Sequence, residues 1–137
     1  MNVAFFLTPK SEVVCVLDNA TMRAAMEQMD QSGYTAVPVL DPHGGYVGTL
    51  TEGDLLRKLL RTPKLTFVGA EHVTVSEVPR RTNVQAVGID AQMEELFSRA
   101  LEQNFVPVVD SRNVFIGIVR RRAILEYYAK ASTRPAQ

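Results

Sequence analysis

The sequence predicts an α/β (α+β) fold built from two copies of one β-α-β-β-α unit packed on each other. Three observations carry the prediction. The first is an internal repeat: Val37-Pro38-Val39 returns as Val106-Pro107-Val108, and at the same offset of 69 Asp41 meets Asp110, Gly48 meets Gly117 and Leu55-Leu56 meets Ile124-Leu125. The second is the change of period at Gly48-Thr49-Leu50-Thr51-Glu52-Gly53-Asp54, where a short apolar strand gives way to leucines at helical spacing. The third is size. A chain of 137 residues, 46% of them hydrophobic, has the material for a core, yet each copy is too small to bury its own sheet face alone.

Taken in order, Val13-Val14-Cys15-Val16-Leu17 is an apolar run that opens the first copy. Asp18 or Asn19 is expected to cap a helix running to about Ser32, with Met22, Ala25, Met26 and Met29 as its apolar stripe and Gly33 as its stop. Thr35 to Leu40 reads as a strand, Asp41-Pro42-His43-Gly44-Gly45 as a turn, and Tyr46 to Leu50 as the return strand. Thr51 caps the second helix, to about Arg61, with Asp54 placed to complete a capping box. Pro63 stops that helix; residues 63–78 contain Leu65, Phe67, Val68, Val73 and Val75 and are too apolar for a free linker. In the second copy Asp90 is expected to cap a helix carrying Met93, Leu96, Phe97, Ala100 and Leu101. Asn104 to Asp110 and Val114 to Val119 are the strand pair, and Arg121 to Ala131 is the last helix. The implied organisation is a first repeat with its N-terminal segment at 1–62, a packed connection at 63–78, a second repeat at 79–131 and a frayed tail at 132–137.

Formal net charge is zero, so nothing global points to nucleic acid or an anionic membrane. No apolar run reaches the ~18 residues of a membrane span, and Met1 to Leu7 is too short and lacks the basic start of a signal peptide. The one cysteine, Cys15, allows no intrachain disulfide and fits a cytoplasmic protein, where it reads as a small buried hydrophobe. His43 and His72 have no cysteine or histidine at metal-ligand spacing, and no nucleophile elbow or P-loop occurs, so no enzyme, metal or cofactor is expected. What remains is the turn into the second helix. A helix N-terminus presents unpaired N–H groups and a positive dipole end, which suit phosphate; Thr51 adds a hydroxyl and Asp54 a carboxylate able to accept from a ribose diol. The same residues also suffice as a cap alone.

The doubled unit resembles the cystathionine-β-synthase (CBS) domain, and the pair resembles a Bateman module. The match lies on Tyr34-Thr35-Ala36-Val37-Pro38-Val39-Leu40-Asp41 and Gly48 to Asp54, then on Phe105-Val106-Pro107-Val108-Val109-Asp110 and Gly117-Ile118-Val119-Arg120-Arg121-Arg122. The resemblance implies adenine-nucleotide binding in clefts between the copies, with Thr51 toward phosphate, Asp54 toward ribose, and Arg81, Thr82 and Asn83 completing that cleft. The second copy departs from the pattern: Arg120 stands where Thr51 stands in the first, and Ala123 where Asp54 stands. That departure resembles free-standing bacterial CBS-pair proteins that bind cyclic di-AMP. Carried over, their ligand residues are Glu12, Val13 and Val14, then Tyr34, Thr35 and Ala36, then Arg120, Arg121 and Arg122, with Glu12 lying where a basic residue would suit a phosphodiester better. The implied function is a cytoplasmic, homodimeric sensor that binds cyclic di-AMP, AMP or ATP and modulates a partner protein. The competing function is a constitutive dimeric interaction scaffold that uses its Met- and Leu-rich helix faces.

Overall fold

A computed structural model describes residues 2–133. Its regular elements are β1 (Thr8–Pro9), β2 (Val16–Leu17), α1 (Met22–Ser32), β3 (Ala36–Leu40), β4 (Tyr46–Thr51), α2 (Glu52–Arg61), β5 (Val87–Gly88), α3 (Met93–Ala100), β6 (Phe105–Val109), β7 (Phe115–Arg120) and α4 (Arg121–Thr133), with short 3-10 turns between them. They form two compact units, one of Val14–Val84, the other of the described residues of Met1–Val13 and Gln85–Gln137.

In the unit Val14–Val84 the sheet order is β2-β3-β4, with β2 parallel to β3 and β4 antiparallel to it. Alternation cannot hold where both faces are covered, and Val37, Val39, Leu40 and Leu50 are all buried. Met22, Ala25 and Met29 of α1 and Leu55 of α2 close the same core. The connection packs down in part: Val75 is a core residue with Ala70 and Val78, Leu65 and Val73 pack against that core, and Val73 O accepts from Met22 N at 2.6 Å, whereas Phe67 and Val68 are exposed. Two 3-10 turns, Gly69–His72 and Val75–Glu77, satisfy its backbone locally.

The other unit repeats the plan with one addition. Its sheet order is β1-β7-β6-β5, and its core holds Val3, Leu96, Val106, Val108, Val119 and Ile124. Each copy pairs its return strand in the same register, Ala36 opposite Thr51 and Phe105 opposite Arg120, and each breaks register at the same place, Val39/Leu40 and Val108/Val109. The addition is the N-terminal segment. Expected with the first repeat, it instead supplies β1 to the free edge of β7, pairing Thr8 with Ile118 and Pro9 with Gly117. An unpaired edge strand is a row of unsatisfied donors and acceptors, and this two-residue strand covers part of it.

Several boundaries differ from expectation. Thr21, not Asp18 or Asn19, caps α1, its Oγ1 accepting from Ala24 N at 3.0 Å. The Asp18 backbone is committed elsewhere: its N–H donates to Leu40 O and its carbonyl accepts from Ser76 N. Asp90 does not cap α3; the chain turns there, Ala91 N donating to Gly88 O, and the helix starts after Gln92 without a side-chain cap. Helix α4 runs through Thr133, so residues 132 and 133 are helical rather than frayed, and residues 134–137 of the expected tail lie outside the described residues.

Candidate functional site

Strand β4 delivers Thr51 in extended conformation, and α2 begins at the next residue. The predicted capping box forms: Thr51 Oγ1 accepts from Asp54 N at 3.1 Å, and Asp54 Oδ2 accepts from Thr51 N at 3.0 Å. Asp54 is only 1% exposed, and its other oxygen is equally engaged. Oδ1 accepts from Arg81 N at 3.0 Å and from Arg57 Nη2 at 2.5 Å. A buried carboxylate needs such partners, since its desolvation is otherwise costly. Asp54 thus fastens the residues after Pro79 to the first turn of α2. Glu52 N donates to Thr35 O at 3.0 Å, which places Tyr34, Thr35 and Ala36 beside the same helix start.

Gly48 has a second task. A Cβ built there would lie 2.6 Å from Arg80 Nε, so the absent side chain lets the Arg80 stem cross β4. Next to it Tyr46 donates to Val84 O at 3.0 Å and shares a 2.8 Å hydrogen bond with Thr49. Burial raises the Tyr46 phenol pKa above its ordinary value; the Thr49 hydrogen bond and the Arg80 charge oppose that shift. The outcome is a cleft of about 460 Å³ within this unit, lined by Asp54, Arg57, Lys58, Arg61, Arg80 and Arg81 together with Thr62 and Pro79. Thr82 and Asn83 are exposed and follow directly on Arg81.

The second set of expected ligand residues divides between the units. Val14, Tyr34, Thr35 and Ala36 belong to Val14–Val84; Glu12, Val13, Arg120, Arg121 and Arg122 belong to the other. Glu12 ends an exposed 3-10 turn, Lys10–Glu12, that follows β1. Arg120 ends β7 and is exposed. Arg121 is not the solvated cation its position suggests: Nε donates to Ala100 O, the last residue of α3, at 2.7 Å and to Gln103 O, in the turn after it, at 3.1 Å. Its own N–H donates to Asn104 O at 3.0 Å. Arg122 is 87% exposed on its side chain and pairs with Glu126 at 3.0 Å.

Sequence reasoning missed Arg57, Lys58, Arg61 and Arg80. Arg57 was findable, being three residues beyond Asp54 on one helix face. The others gain meaning only once residues 79–81 are folded against α2. Gln103 was also missed. Its amide accepts from Gln85 N at 3.0 Å and donates to Gln85 O at 3.1 Å, clamping the strand that leads into β5, a role no spacing rule reveals. Among the described residues no group of three or more His, Cys, Asp and Glu side chains is placed to hold a metal ion, and no helix is long and apolar enough to cross a membrane.

Known proteins share the two repeats. The model of the CBS domain matches residues 6–61 and 75–130. Cyclic di-AMP receptor B of Bacillus subtilis (strain 168) is 27% identical over 124 residues, covering 90% of this chain and 84% of the relative. Among solved structures, CbpB of Listeria monocytogenes in complex with c-di-AMP superposes with a TM-score of 0.82 at 24% identity, over 95% of this chain and 96% of that one. CBSX2, an Arabidopsis thaliana CBS-pair protein, in complex with AMP superposes with a TM-score of 0.74 at 22% identity, over 96% of this chain and 98% of that one. The two structural likenesses are likenesses of fold.

Proposed function

The chain belongs to the CBS-domain family, and from that premise we propose that it is a regulatory module that binds cyclic di-AMP and passes its occupancy to a partner protein. The observation that carries the reading is the exchange of Thr51 and Asp54 in the first copy for Arg120 and Ala123 in the second, at equivalent register. This exchange removes a ribose acceptor and supplies cations for phosphodiester oxygens. The relative described as a cyclic di-AMP receptor supports the choice of ligand. The ligand residues in this reading are Glu12, Val13, Val14, Tyr34, Thr35, Ala36, Arg120, Arg121 and Arg122. Arg120 and Arg122 supply the exposed charge, while Arg121 is anchored on the carbonyls of Ala100 and Gln103. Thr51, Asp54, Arg81, Thr82 and Asn83 form the second proposed nucleotide set, for AMP or ATP. The module works in the cytoplasm as a homodimer and performs no catalysis.

Calorimetry on the Arg120→Ala/Arg122→Ala variant tests the reading. Affinity for cyclic di-AMP should fall at least tenfold, about 1.4 kcal/mol, and raised salt should erode wild-type binding more than variant binding. Unchanged affinity would return both residues to a solvated turn. The alternative, a constitutive dimeric scaffold, draws support from exposed apolar side chains on the helices, Leu56, Leu60 and Leu125 among them. It predicts that none of cyclic di-AMP, AMP or ATP raises the melting temperature, since only a ligand of the folded state does so.

A further inference from the structure

Gln103 is a buried polar residue, 8% exposed, and each of its polar atoms is engaged. Its N–H donates to Arg99 O at 2.9 Å, and its carbonyl accepts from Arg121 Nε at 3.1 Å. In the side chain, Oε1 accepts from Gln85 N at 3.0 Å, while Nε2 donates to Gln85 O at 3.1 Å and to Phe105 O at 3.3 Å. Turning the carboxamide over would set its NH2 group against the Gln85 N–H, so one orientation alone satisfies the network. Gln103 thereby ties four pieces of one unit together: the end of α3, the strand that leads into β5, the start of β6 and the start of α4. A buried polar network with all its members satisfied is rigid.

The first copy makes the same turn without this lock. At the offset of 69, Gly33 matches Glu102, Tyr34 matches Gln103 and Glu52 matches Arg121. There α1 is closed by Gly33 in the left-handed conformation, φ 75°. Tyr34 is 38% exposed, and an ionised Glu52 has no side-chain donor for a carbonyl. The backbone is the same nonetheless. Glu52 N donates to Thr35 O at 3.0 Å, as Arg121 N donates to Asn104 O at 3.0 Å, and the two hairpins share one register. The plan therefore does not require the lock, and ordering two long side chains costs rotamer entropy. The lock stands in the copy whose last helix opens on arginines. We propose that Gln103 is a positioning residue for cyclic di-AMP: it holds residues 100–104 as a rigid seat for Arg121, and so sets where Arg120 and Arg122 present their charges to the phosphodiesters. It touches no ligand itself; a fixed seat cuts the ordering cost of binding. The assignment rests on the reading that Arg120 and Arg122 bind cyclic di-AMP.

Titration calorimetry with cyclic di-AMP tests it on four full-length proteins: wild type, Gln103→Met, Arg120→Ala/Arg122→Ala and the three changes combined. Gln103→Met should weaken binding at least fivefold in the wild-type background. It should weaken it less than twofold once Arg120 and Arg122 are gone, because its effect runs through them. Without ligand, the Arg121 Nε–H resonance should exchange with solvent faster in Gln103→Met than in wild type. Met93→Ala, which empties core volume at the other end of α3, should lower the melting temperature and keep the affinity. Gln103→Asn, whose carboxamide falls one methylene short of Gln85, carries the same expectations and decides the matter if Gln103→Met does not fold. Equal affinity in wild type and the Gln103 variant, the same loss in both backgrounds, a matching loss in Met93→Ala, or unchanged Arg121 Nε–H exchange would each overturn the proposal and leave the cyclic di-AMP reading standing. Absence of binding by the wild type would overturn that reading, and the proposal with it.

Discussion

Replacing Asp54 with alanine should cost far more than removing a helix cap. A capping residue alone contributes about 1 kcal/mol. Asp54 does more: besides Thr51 N it takes Arg81 N at 3.0 Å and Arg57 Nη2 at 2.5 Å. Each hydrogen bond to a charged group contributes roughly 1.5–3 kcal/mol when fully sheltered. Arg57 keeps 26% of its side chain exposed, and the Arg81 backbone lies near solvent, so each regains some water once the carboxylate is gone. Allowing about 1 kcal/mol for each of these two and the same for the cap, Asp54→Ala should lose about 3 kcal/mol. With a urea slope of about 1.5 kcal/mol/M, the unfolding midpoint should fall by about 2 M. Asp54→Asn keeps one acceptor oxygen but turns a donor toward one of the backbone N–H groups, and should lose about half as much. Urea unfolding followed by circular dichroism reads both. A loss near 1 kcal/mol for alanine would mean that the carboxylate is a cap only and that the fastening of residues 79–81 to α2 contributes nothing.

Two further substitutions probe the repeat. A Cβ at Gly117 would collide with Thr8 O and lie 2.9 Å from Leu7, so Gly117→Ala should unpair β1 and cost about 3 kcal/mol, seen as faster hydrogen exchange across β7. At the equivalent Gly48 the obstacle is the flexible Arg80 stem, so Gly48→Ala should move that arginine and cost under about 1 kcal/mol in a melt. Arg121→Ala should lose about 1–2 kcal/mol by urea unfolding, because the carbonyls of Ala100 and Gln103 lose their donor. Arg122→Ala, exposed and paired only with Glu126, should stay within about 0.5 kcal/mol of wild type.

The repeat was legible because its evidence is redundant. A constant offset of 69 fixes which residues are equivalent, and the two hairpins then share register, bulge and following helix. The capping box at Thr51 and Asp54 was legible because it is local, both partners lying within four residues. Illegible features share a different property: their partners are distant in sequence. Asp18 has good capping chemistry, but Leu40 and Ser76 take its backbone for the sheet edge and the connection. The home of the N-terminal segment was hidden because a two-residue strand has no periodicity to read. The basic cleft was hidden because Arg80 and Arg81 meet Arg57, Lys58 and Arg61 only across some twenty residues of intervening chain.

Arg121 shows how a correct rule gives the wrong sign when the partner is unseen. At the first position of α4 a cation opposes that helix's dipole, which predicts mild destabilisation. The side chain, however, extends to the last carbonyl of α3, Ala100 O, where the dipole is negative and cations are favoured, and to Gln103 O just beyond it. It answers Ala100 O and the carbonyl of Gln103 in the turn that follows, without the glycine cap that ends α1. The three consecutive arginines are therefore not one patch. The middle one holds α3 to the start of α4, and that anchorage fixes the turn from which Arg120 and Arg122 extend. A triple alanine variant would confound the two roles: lost stability from Arg121 would mimic lost binding. Arg120 and Arg122 must be changed together with Arg121 left in place if ligand affinity is to be read.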